Sequence, residues 1–99
     1  EMLLEAKKID SAKCAIINIR PPGDYEGTDI DAVQEACNQL GWSLADADRN
    51  GIEHSESEVD VILDIGDFGW EPSLYVLGAS PLEVVDRCHT LVKTLEGTA

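Results

Sequence analysis

The chain has 99 residues, with 20 Asp or Glu against 7 Lys or Arg, which gives a formal charge of −13. This excess repels nucleic-acid phosphates and anionic lipid, and it attracts basic protein surfaces or cations. It therefore argues against a protein that binds nucleic acid or a membrane surface. The 43 % hydrophobic content indicates a folded chain, the length predicts one domain, and the apolar runs are too short to cross a bilayer.

The first predicted boundary lies at residue 12. Residues 2–8 predict a short helix that is marginal by itself, so we expect residues 1–12 to be a loosely held segment. The domain is then expected over residues 13–97. Within it, the β-branched residues of 13–20 predict an interior strand that ends at Pro21, because proline has no N–H to donate to a strand pair.

A helix is predicted over residues 29–40. Thr28 and Asp31 resemble a capping box at its start, and Gly41 suits the left-handed conformation that often ends a helix. Apolar side chains between these signals recur at helical spacing, namely Ile30, Val33, Cys37 and Leu40.

Three strands are predicted after this helix. A short one begins at Trp42, and the pair Asn50-Gly51 predicts a turn beyond it. Residues 58–65 and 73–78 predict two further strands, antiparallel to each other across a loop rich in turn-forming residues.

The second of these strands has the clearest pattern. Apolar residues alternate with mostly acidic ones over residues 58–65, which predicts a half-buried strand. We therefore expect Asp60 and Asp64 to face solvent on the outer side of the sheet.

The last predicted element is a helix that begins near Pro81. Ser80 is typical of an N-cap and Glu83 of the matching capping-box position, and the helix is expected to end before Gly97. The order is then β-α-β-β-β-α. This order predicts an α+β fold, a two-layer sandwich in which a mainly antiparallel sheet carries two helices on one face and leaves the other face to solvent.

One segment resembles the start of a calcium-binding loop. Asp46, Asp48, Asn50 and Gly51 fit the opening D-x-D-x-N-G, in which alternating oxygens converge on the ion. Position 12 is Ser57 instead of the required glutamate, so Glu56 or Glu58 fills that role only if the loop is one residue short or long. The weak metal candidates are Asp46, Asp48, Asn50 and Glu56, and the alternative is an ordinary acidic hairpin turn.

The three cysteines indicate free thiols rather than disulfides. Cys14, Cys37 and Cys88 are widely spaced in apolar patterns, which predicts burial and a reducing, cytoplasmic location. His89 follows Cys88 on the last helix, but adjacent helical residues point about 100° apart and do not form one metal site. We expect no catalytic residues and no cofactor.

The preferred functional hypothesis is a non-enzymatic interaction module, of inhibitor, immunity or regulatory type, that binds a basic protein partner. Carboxylates would steer the encounter with the partner, and aromatic residues would supply buried contact. In one version of this hypothesis the carboxylates mimic the phosphates of a nucleic acid. The residues predicted to bind the partner are Asp46, Asp48, Asp60, Asp64, Phe68, Trp70 and Glu71.

Two other hypotheses stay open. The chain is alternatively a small accessory subunit or domain of an enzyme complex, whose acidity serves solubility in high salt. A weaker alternative is a cation-binding protein.

Overall fold

The computed structural model describes residues 2–24, 27–48, 51–53, 57–66 and 71–98. These residues form three helices and seven strands. In chain order they are α1 (Met2–Ile9), β1 (Ala15–Ile19), β2 (Gly23–Asp24), β3 (Gly27–Thr28), α2 (Ile30–Leu40), β4 (Leu44–Asp48), β5 (Gly51–Glu53), β6 (Val61–Asp64), β7 (Ser73–Gly78) and α3 (Pro81–Thr98).

Five of the strands form one mixed sheet in the order β1-β7-β6-β4-β5. β7 is antiparallel to both of its neighbours, β1 and β6, and β5 is antiparallel to β4. β4 and β6 are parallel. The two short strands β2 and β3 form a separate antiparallel ribbon between β1 and α2.

The predicted α+β class is confirmed, with α2 and α3 on one face of the sheet. The strand order differs from the prediction at the centre of the sheet. β5 folds back on the outer side of β4, so that β6 takes the inner side and runs parallel to β4. The expected antiparallel neighbour of β6 is found only on its other side, where β7 lies.

Both faces of the sheet carry apolar cores. Under α2 and α3 the core comprises Val33, Ala36, Cys37, Val61, Leu63, Leu74, Val76, Val84 and Leu91. A smaller core on the opposite face comprises Ala6, Ala45, Ala47, Val59, Ile62 and Leu77.

The expectation of a solvent-exposed second face is therefore wrong where α1 packs, since Ala6 of this helix is fully buried against the sheet. The division into a loosely held segment 1–12 and a domain 13–97 stays a prediction.

Local signals set the helix ends. α2 starts one residue later than expected, because Asp29 and not Thr28 is its N-cap and accepts a hydrogen bond from the Ala32 N–H at 3.1 Å. Gly41 ends this helix in the left-handed conformation, with φ of 72°.

At the start of α3, the expected cap is present. Ser80 Oγ accepts from the Glu83 N–H, and the Glu83 carboxylate accepts from the Ala79 N–H. In the described part of the chain, no helix is long and apolar enough to cross a membrane.

Candidate functional site

Three strands have their carboxyl ends on the same side of the sheet. β1 and β6 both run antiparallel to β7, and β4 runs parallel to β6, so β1, β4 and β6 all point in the same direction. In sheets with parallel strands, ligands bind outside these carboxyl ends. A binding site is therefore expected at this end of the sheet.

Polar side chains occupy the sheet face there. Ile16, Ile62 and Tyr75 pack in the core on the α1 side, and side chains two residues apart on a strand share a face. Beyond these core residues the same face carries Asn18, Arg20, Asp64 and Ser73. Together with Tyr75, which pairs with Asn18, they form a set that we call the polar face.

Strand pairing brings these residues together. Asn18 pairs with Tyr75, and Asp64 pairs with Ser73 on the other side of β7. Arg20 follows β1 directly and continues its register towards Ser73. Asn18 and Arg20 are exposed, which shows that α1 leaves this end of the sheet open.

Asp64 is the unusual member of the polar face. It is 3 % exposed, and its Oδ1 accepts a hydrogen bond of 2.9 Å from the Gly66 N–H. Its Oδ2 is buried and has no hydrogen-bond partner among the described residues. An unsatisfied buried oxygen costs about 1–3 kcal/mol, so it needs a specific explanation. A ligand that donates to Oδ2 supplies one.

The polar face combines a cation, an aromatic ring and a buried carboxylate. A guanidinium such as that of Arg20 binds phosphate oxygens in a bidentate manner. The Tyr75 ring offers a surface for stacking, and the Asp64 carboxylate accepts from amino groups or attracts a cation.

A buried ion network lies at the opposite end of the sheet, where β4 and β6 begin. It consists of Asp10, Lys13, Asp60 and Arg87. Lys13 Nζ is 2.8 Å from Asp10 Oδ2 and 3.1 Å from Asp60 Oδ1, and Arg87 Nη1 is 2.8 Å from the same Asp60 oxygen.

Backbone donors complete this network. The Ser43 N–H donates to Asp60 Oδ2 at 2.8 Å, and the Val59 N–H donates to Asp10 Oδ2 at 3.2 Å. The network thus joins the residues after α1, the starts of β4 and β6, and α3.

The ionisation of the network follows from these contacts. The hydrogen bond from Lys13 lowers the pKa of Asp10. Burial by itself raises the pKa of Asp60, but hydrogen bonds from Arg87, the Ser43 backbone and Lys13 outweigh it, and the pKa is lowered. Burial likewise lowers the pKa of Lys13, but the two carboxylates outweigh it and raise the pKa.

Two of the predicted partner-binding residues are therefore not on a surface. Asp60 is 7 % exposed and Asp64 is 3 % exposed, so the expectation that both face solvent is wrong. The alternating pattern indicated one buried face, but both faces of β6 are covered. Asp60 and Asp64 also lie at opposite ends of the strand.

The other predicted partner-binding residues are placed as follows. Asp46 and Asp48 are exposed on β4, and because Ala45 and Ala47 belong to the core on the α1 side, both aspartates point to the face opposite Asp64. The four aspartates are thus not one cluster. Glu71 is exposed. Phe68 and Trp70 lie outside the described residues, and a partner contact by any of these residues stays a prediction.

The calcium-loop candidates do not form a loop in the described residues. Asp46 and Asp48 lie in the extended strand β4, and Asp48 pairs with Gly51 of β5, so both aspartates belong to an antiparallel strand pair. Asn50 and Glu56 lie outside the described residues. No group of three or more His, Cys, Asp or Glu in the described part could hold a metal ion.

The cysteines differ from one another. All three are free thiols, but Cys14 is exposed, contrary to the prediction, and Cys88 is half-buried. Burial raises the pKa of the Cys37 thiol to about 11, which keeps it protonated and a poor nucleophile at neutral pH.

A polar groove of about 440 Å³ lies near the ion network. Trp42 lines it, and the Arg87 guanidinium stands 5.1 Å from the centre of that ring. The groove is lined by Gln34, Asn38, Gly41, Trp42, Ser43, Leu44 and Glu58. Among the described residues its lining holds no cationic side chain and no buried polar atom without a partner, and the polar face has both an arginine and such an atom.

Sequence reasoning missed the residues of β1 and β7 that form this face. A signal was present in Asn18 and Arg20, which are polar residues at alternate positions of an otherwise apolar strand end. Tyr75 gave no such signal, because an aromatic residue in a strand is typical of a core.

Known proteins resemble the chain in sequence and in fold. The family model of Thiamine-phosphate synthase ThiN matches residues 1–90. The C-terminal domain of protein MJ0236 shares the fold, with 22 % identity and a TM-score of 0.71, and so does the C-terminal domain of phosphomethylpyrimidine kinase, with 22 % identity and a TM-score of 0.67. The matches cover 99 % and 91 % of this chain but only 57 % and 58 % of those chains. No curated protein matches the chain.

The family match overturns the preferred hypothesis from the sequence. A chain matched over residues 1–90 by a synthase family is not an acidic inhibitor or regulatory module. The net charge misled because it constrains solubility and partners and says little about a fold or a reaction. The second hypothesis, a domain of an enzyme, agrees better with the comparisons.

Proposed function

The chain belongs to the thiamine-phosphate synthase ThiN family, and on this basis we propose that it is part of an enzyme that forms thiamine phosphate and binds this product at the polar face. The observation that carries the proposal is the family match over residues 1–90. The Oδ2 of Asp64, which has no hydrogen-bond partner among the described residues, supports the choice of the polar face as the site.

The product has three parts that the polar face can recognise. Thiamine phosphate joins an aminopyrimidine to a cationic thiazolium ring, and the thiazolium carries a phosphate ester on a short arm. Arg20 is the residue for the phosphate, because a guanidinium presents paired N–H donors. Tyr75 is suited to stack on a ring, and Asp64 to accept from the exocyclic amine or to balance the thiazolium charge.

The location of Asp64 supports a role in binding. The carboxylate lies at the carboxyl end of β6, next to the parallel strand β4, and Gly66, which donates to it, has a φ of 81°. A buried carboxylate in that position attracts a cation more strongly than an exposed one, since less water screens it.

The chain spans just over half of the solved relatives. We therefore assign binding to this part and expect catalysis of the complete reaction to require the rest of the unit. The proposal for this chain concerns recognition of the product.

The test is calorimetric titration of the purified chain with thiamine phosphate. We expect binding of the wild-type chain and a loss of affinity of about tenfold or more for Arg20→Gln and for Asp64→Asn, in line with the removal of a charged hydrogen bond. Asn38→Ala changes the polar groove at the other end of the sheet and serves as the matched control. We expect its affinity for thiamine phosphate to equal that of the wild type.

Two comparisons make the test specific. Thiamine without its phosphate is expected to bind Arg20→Gln as well as it binds the wild type, because Arg20 is assigned to the phosphate alone. Equal binding of thiamine phosphate by all three variants would reject the polar face as the site. Loss of binding only in Asn38→Ala would move the site to the groove.

A further inference from the structure

A short ribbon connects the polar face to α2. It consists of β2 and β3, which form an antiparallel pair of two residues each. The ribbon begins three residues after Arg20, beyond the carboxyl end of β1, and it ends directly before Asp29, the N-cap of α2. Arg20, the residue proposed for the phosphate, is thus joined to a helix of the core by a short stretch of chain.

Arg20 is available to an anionic ligand. It is exposed, and none of the ion pairs among the described residues includes it, although the chain carries 20 carboxylates. The start of α2, beyond the ribbon, is of a kind that often binds anions. There, however, the Asp29 carboxylate already accepts from the Ala32 N–H. The phosphate is therefore assigned to Arg20.

Two prolines limit the backbone directly after Arg20. The rings of Pro21 and Pro22 fix their own φ angles, and a proline also restricts the residue before it to extended conformations. The restriction from Pro21 acts on Arg20, and Pro21 is itself buried. On the other side, Ile19 is held by its pairing with Leu74 of β7. The backbone of Arg20 is therefore constrained from both directions.

A hydrogen bond anchors these prolines to α2. The Pro22 carbonyl accepts it from the N–H of Asp29, the cap of the helix, at 2.8 Å. The side chains that fix α2 in the core are at most 1 % exposed, namely Val33, Ala36 and Cys37. Arg20 is thus connected on one side to the sheet and on the other to a helix that the core holds in place.

Gly23 allows the ribbon to close. Its φ of 137° is a conformation that residues with a side chain rarely adopt. A Cβ at this position would overlap the Gly27 carbonyl oxygen, and it would lie 2.9 Å from Thr28 Cα and 3.0 Å from the Asp29 nitrogen. All three are backbone atoms, so a side chain at residue 23 requires the two strands of the ribbon to separate. The hydrogen bond between Asp29 and Pro22 is then expected to weaken or break.

We propose that the β2–β3 ribbon fixes the backbone of Arg20 where its guanidinium meets the phosphate, and that Gly23 is a positioning residue on which this depends. The inference rests on the proposed function, since it concerns how Arg20 recognises the ligand. Bidentate binding of a phosphate needs two N–H groups at fixed positions. An arginine on a fixed backbone loses less conformational freedom on binding than one on a mobile backbone, so the ribbon raises the affinity.

The ribbon therefore sets the preference for a phosphorylated ligand. Arg20 is assigned to the phosphate, whereas Tyr75 and Asp64 are assigned to the rings. Opening the ribbon should weaken binding of the phosphate and leave recognition of the rings unchanged. A purely structural role of Gly23 predicts a different result, because a general loss of structure weakens phosphorylated and unphosphorylated ligands alike.

The test compares two ligands. The affinity of Gly23→Ala for thiamine phosphate and for thiamine is measured by calorimetric titration of the 99-residue chain. We expect about a tenfold loss of affinity for thiamine phosphate and less than about a twofold change for thiamine. When Gly23→Ala is combined with Arg20→Gln, thiamine phosphate should bind no more weakly than it binds to Arg20→Gln alone, because one residue acts through the other.

The ribbon is also observed without a ligand. Hydrogen exchange of the Asp29 amide, which donates to Pro22, should be about tenfold faster in Gly23→Ala. If that variant does not fold, Pro22→Ala takes its place, because it releases φ and retains the carbonyl that accepts from Asp29. We expect Pro22→Ala to weaken binding of thiamine phosphate by about threefold and to leave binding of thiamine unchanged.

Gly78→Ala is the matched control. It also places a Cβ against backbone, that of Val84, but it lies at the end of β7 away from the polar face. We expect it to lower the melting temperature and to leave the ratio of the two affinities as in the wild type.

The contrary results separate this inference from the proposed function. If Arg20→Gln loses affinity for thiamine phosphate while Gly23→Ala and Pro22→Ala bind like the wild type, the role of the ribbon is rejected and the proposed function stands. Equal losses for thiamine phosphate and thiamine in Gly23→Ala would leave Gly23 a structural role only. If Arg20→Gln binds thiamine phosphate as well as the wild type does, the assignment of the phosphate is wrong, and the role of the ribbon falls with it.

Discussion

Asp64 combines near-complete burial with a carboxylate oxygen that has no partner among the described residues. The sequence shows the acid but not its depth. Alternation along 58–65 is typical of a strand with one wet face, but all four residues of β6 are buried. The sequence shows that Asn18 and Arg20 are polar. It does not show which residues lie beside them, because β1 pairs with β7, which is far along the chain.

Replacing Asp64 by asparagine is expected to stabilise the free protein. The side chain keeps its shape, and the oxygen that accepts from Gly66 is retained, while the desolvated carboxylate is removed. A gain of about 1 kcal/mol corresponds to a melting temperature about 4–8 °C higher for a domain of this size.

Differential scanning calorimetry without ligand measures this effect. Asp46→Asn, at an exposed position of β4, is the control and should leave the melting temperature unchanged. A variant Asp64→Asn that melts several degrees lower than wild type would mean that the carboxylate has a stabilising partner. A stability gain joined to a loss of product binding is the pattern of a functional residue.

Elements defined by local chemistry were predictable, and their neighbours in the sheet were not. The cap of α3 follows from Ser80 and Glu83, which are close in sequence, and Gly41 ends α2 as expected. The parallel pairing of β4 with β6 depends on which side of β4 is occupied by β5, and the alternation of apolar and polar residues along a strand does not indicate that side. Local signals act over a few residues, whereas sheet order is decided by the packing of the whole domain.

The ion network is expected to be the main polar connection between elements. Asp60→Asn removes the charge that Lys13 and Arg87 both contact in a site where the side chains are only 10–23 % exposed, and leaves Lys13 with Asp10 alone and Arg87 with Glu83 alone. We expect a loss of about 3 kcal/mol in the free energy of unfolding, measured by urea denaturation.

Asp86→Asn is the control for this change, because Asp86 is an exposed acid on α3. Its effect should lie within about 0.5 kcal/mol of zero. Equal effects of the two substitutions would show that the network contributes no more than a surface charge.

Close packing between β7 and α3 is a second connection between elements. A Cβ placed on Gly78 would stand 2.9 Å from the backbone nitrogen of Val84, nearer than real Cβ atoms come. Gly78→Ala is therefore expected to destabilise the fold by about 2 kcal/mol in urea denaturation. Gly97→Ala, where a Cβ meets nothing within 4 Å, should be neutral or slightly stabilising, and a neutral Gly78→Ala would show that α3 is free to shift.

At the scale of the whole molecule, the charge of −13 and the buried network give opposite responses to acid. Partial protonation of surface carboxylates relieves self-repulsion and stabilises the compact state. The lowered pKa values of Asp10 and Asp60 stabilise the fold fully above their ordinary value of 3.8, and this contribution is lost as the pH falls through the lower folded-state values. Lys13, whose pKa is raised, contributes fully below 10.5 and loses its contribution as the pH rises above it.

We therefore expect a maximum of the melting temperature near about pH 5, followed by a steep fall below about pH 4. Calorimetry between about pH 3 and pH 8 measures the profile. In Asp60→Asn the fall below pH 4 should be shallower, because one of the two carboxylates is absent. A melting temperature that drops steadily from pH 7 to pH 5 in the wild type would contradict the account.

The pairing of β1 with β7 sets the earliest moment at which a nascent chain acquires this fold. Ala15 pairs with Gly78, and no other described strand pairs with β1, so Ala15–Ile19 waits unpaired on the ribosome until the last strand has left the exit tunnel. Pairings this distant in sequence form slowly. The aliphatic segment is therefore exposed to chaperones and to neighbouring chains from its own emergence until that of Ser73–Gly78.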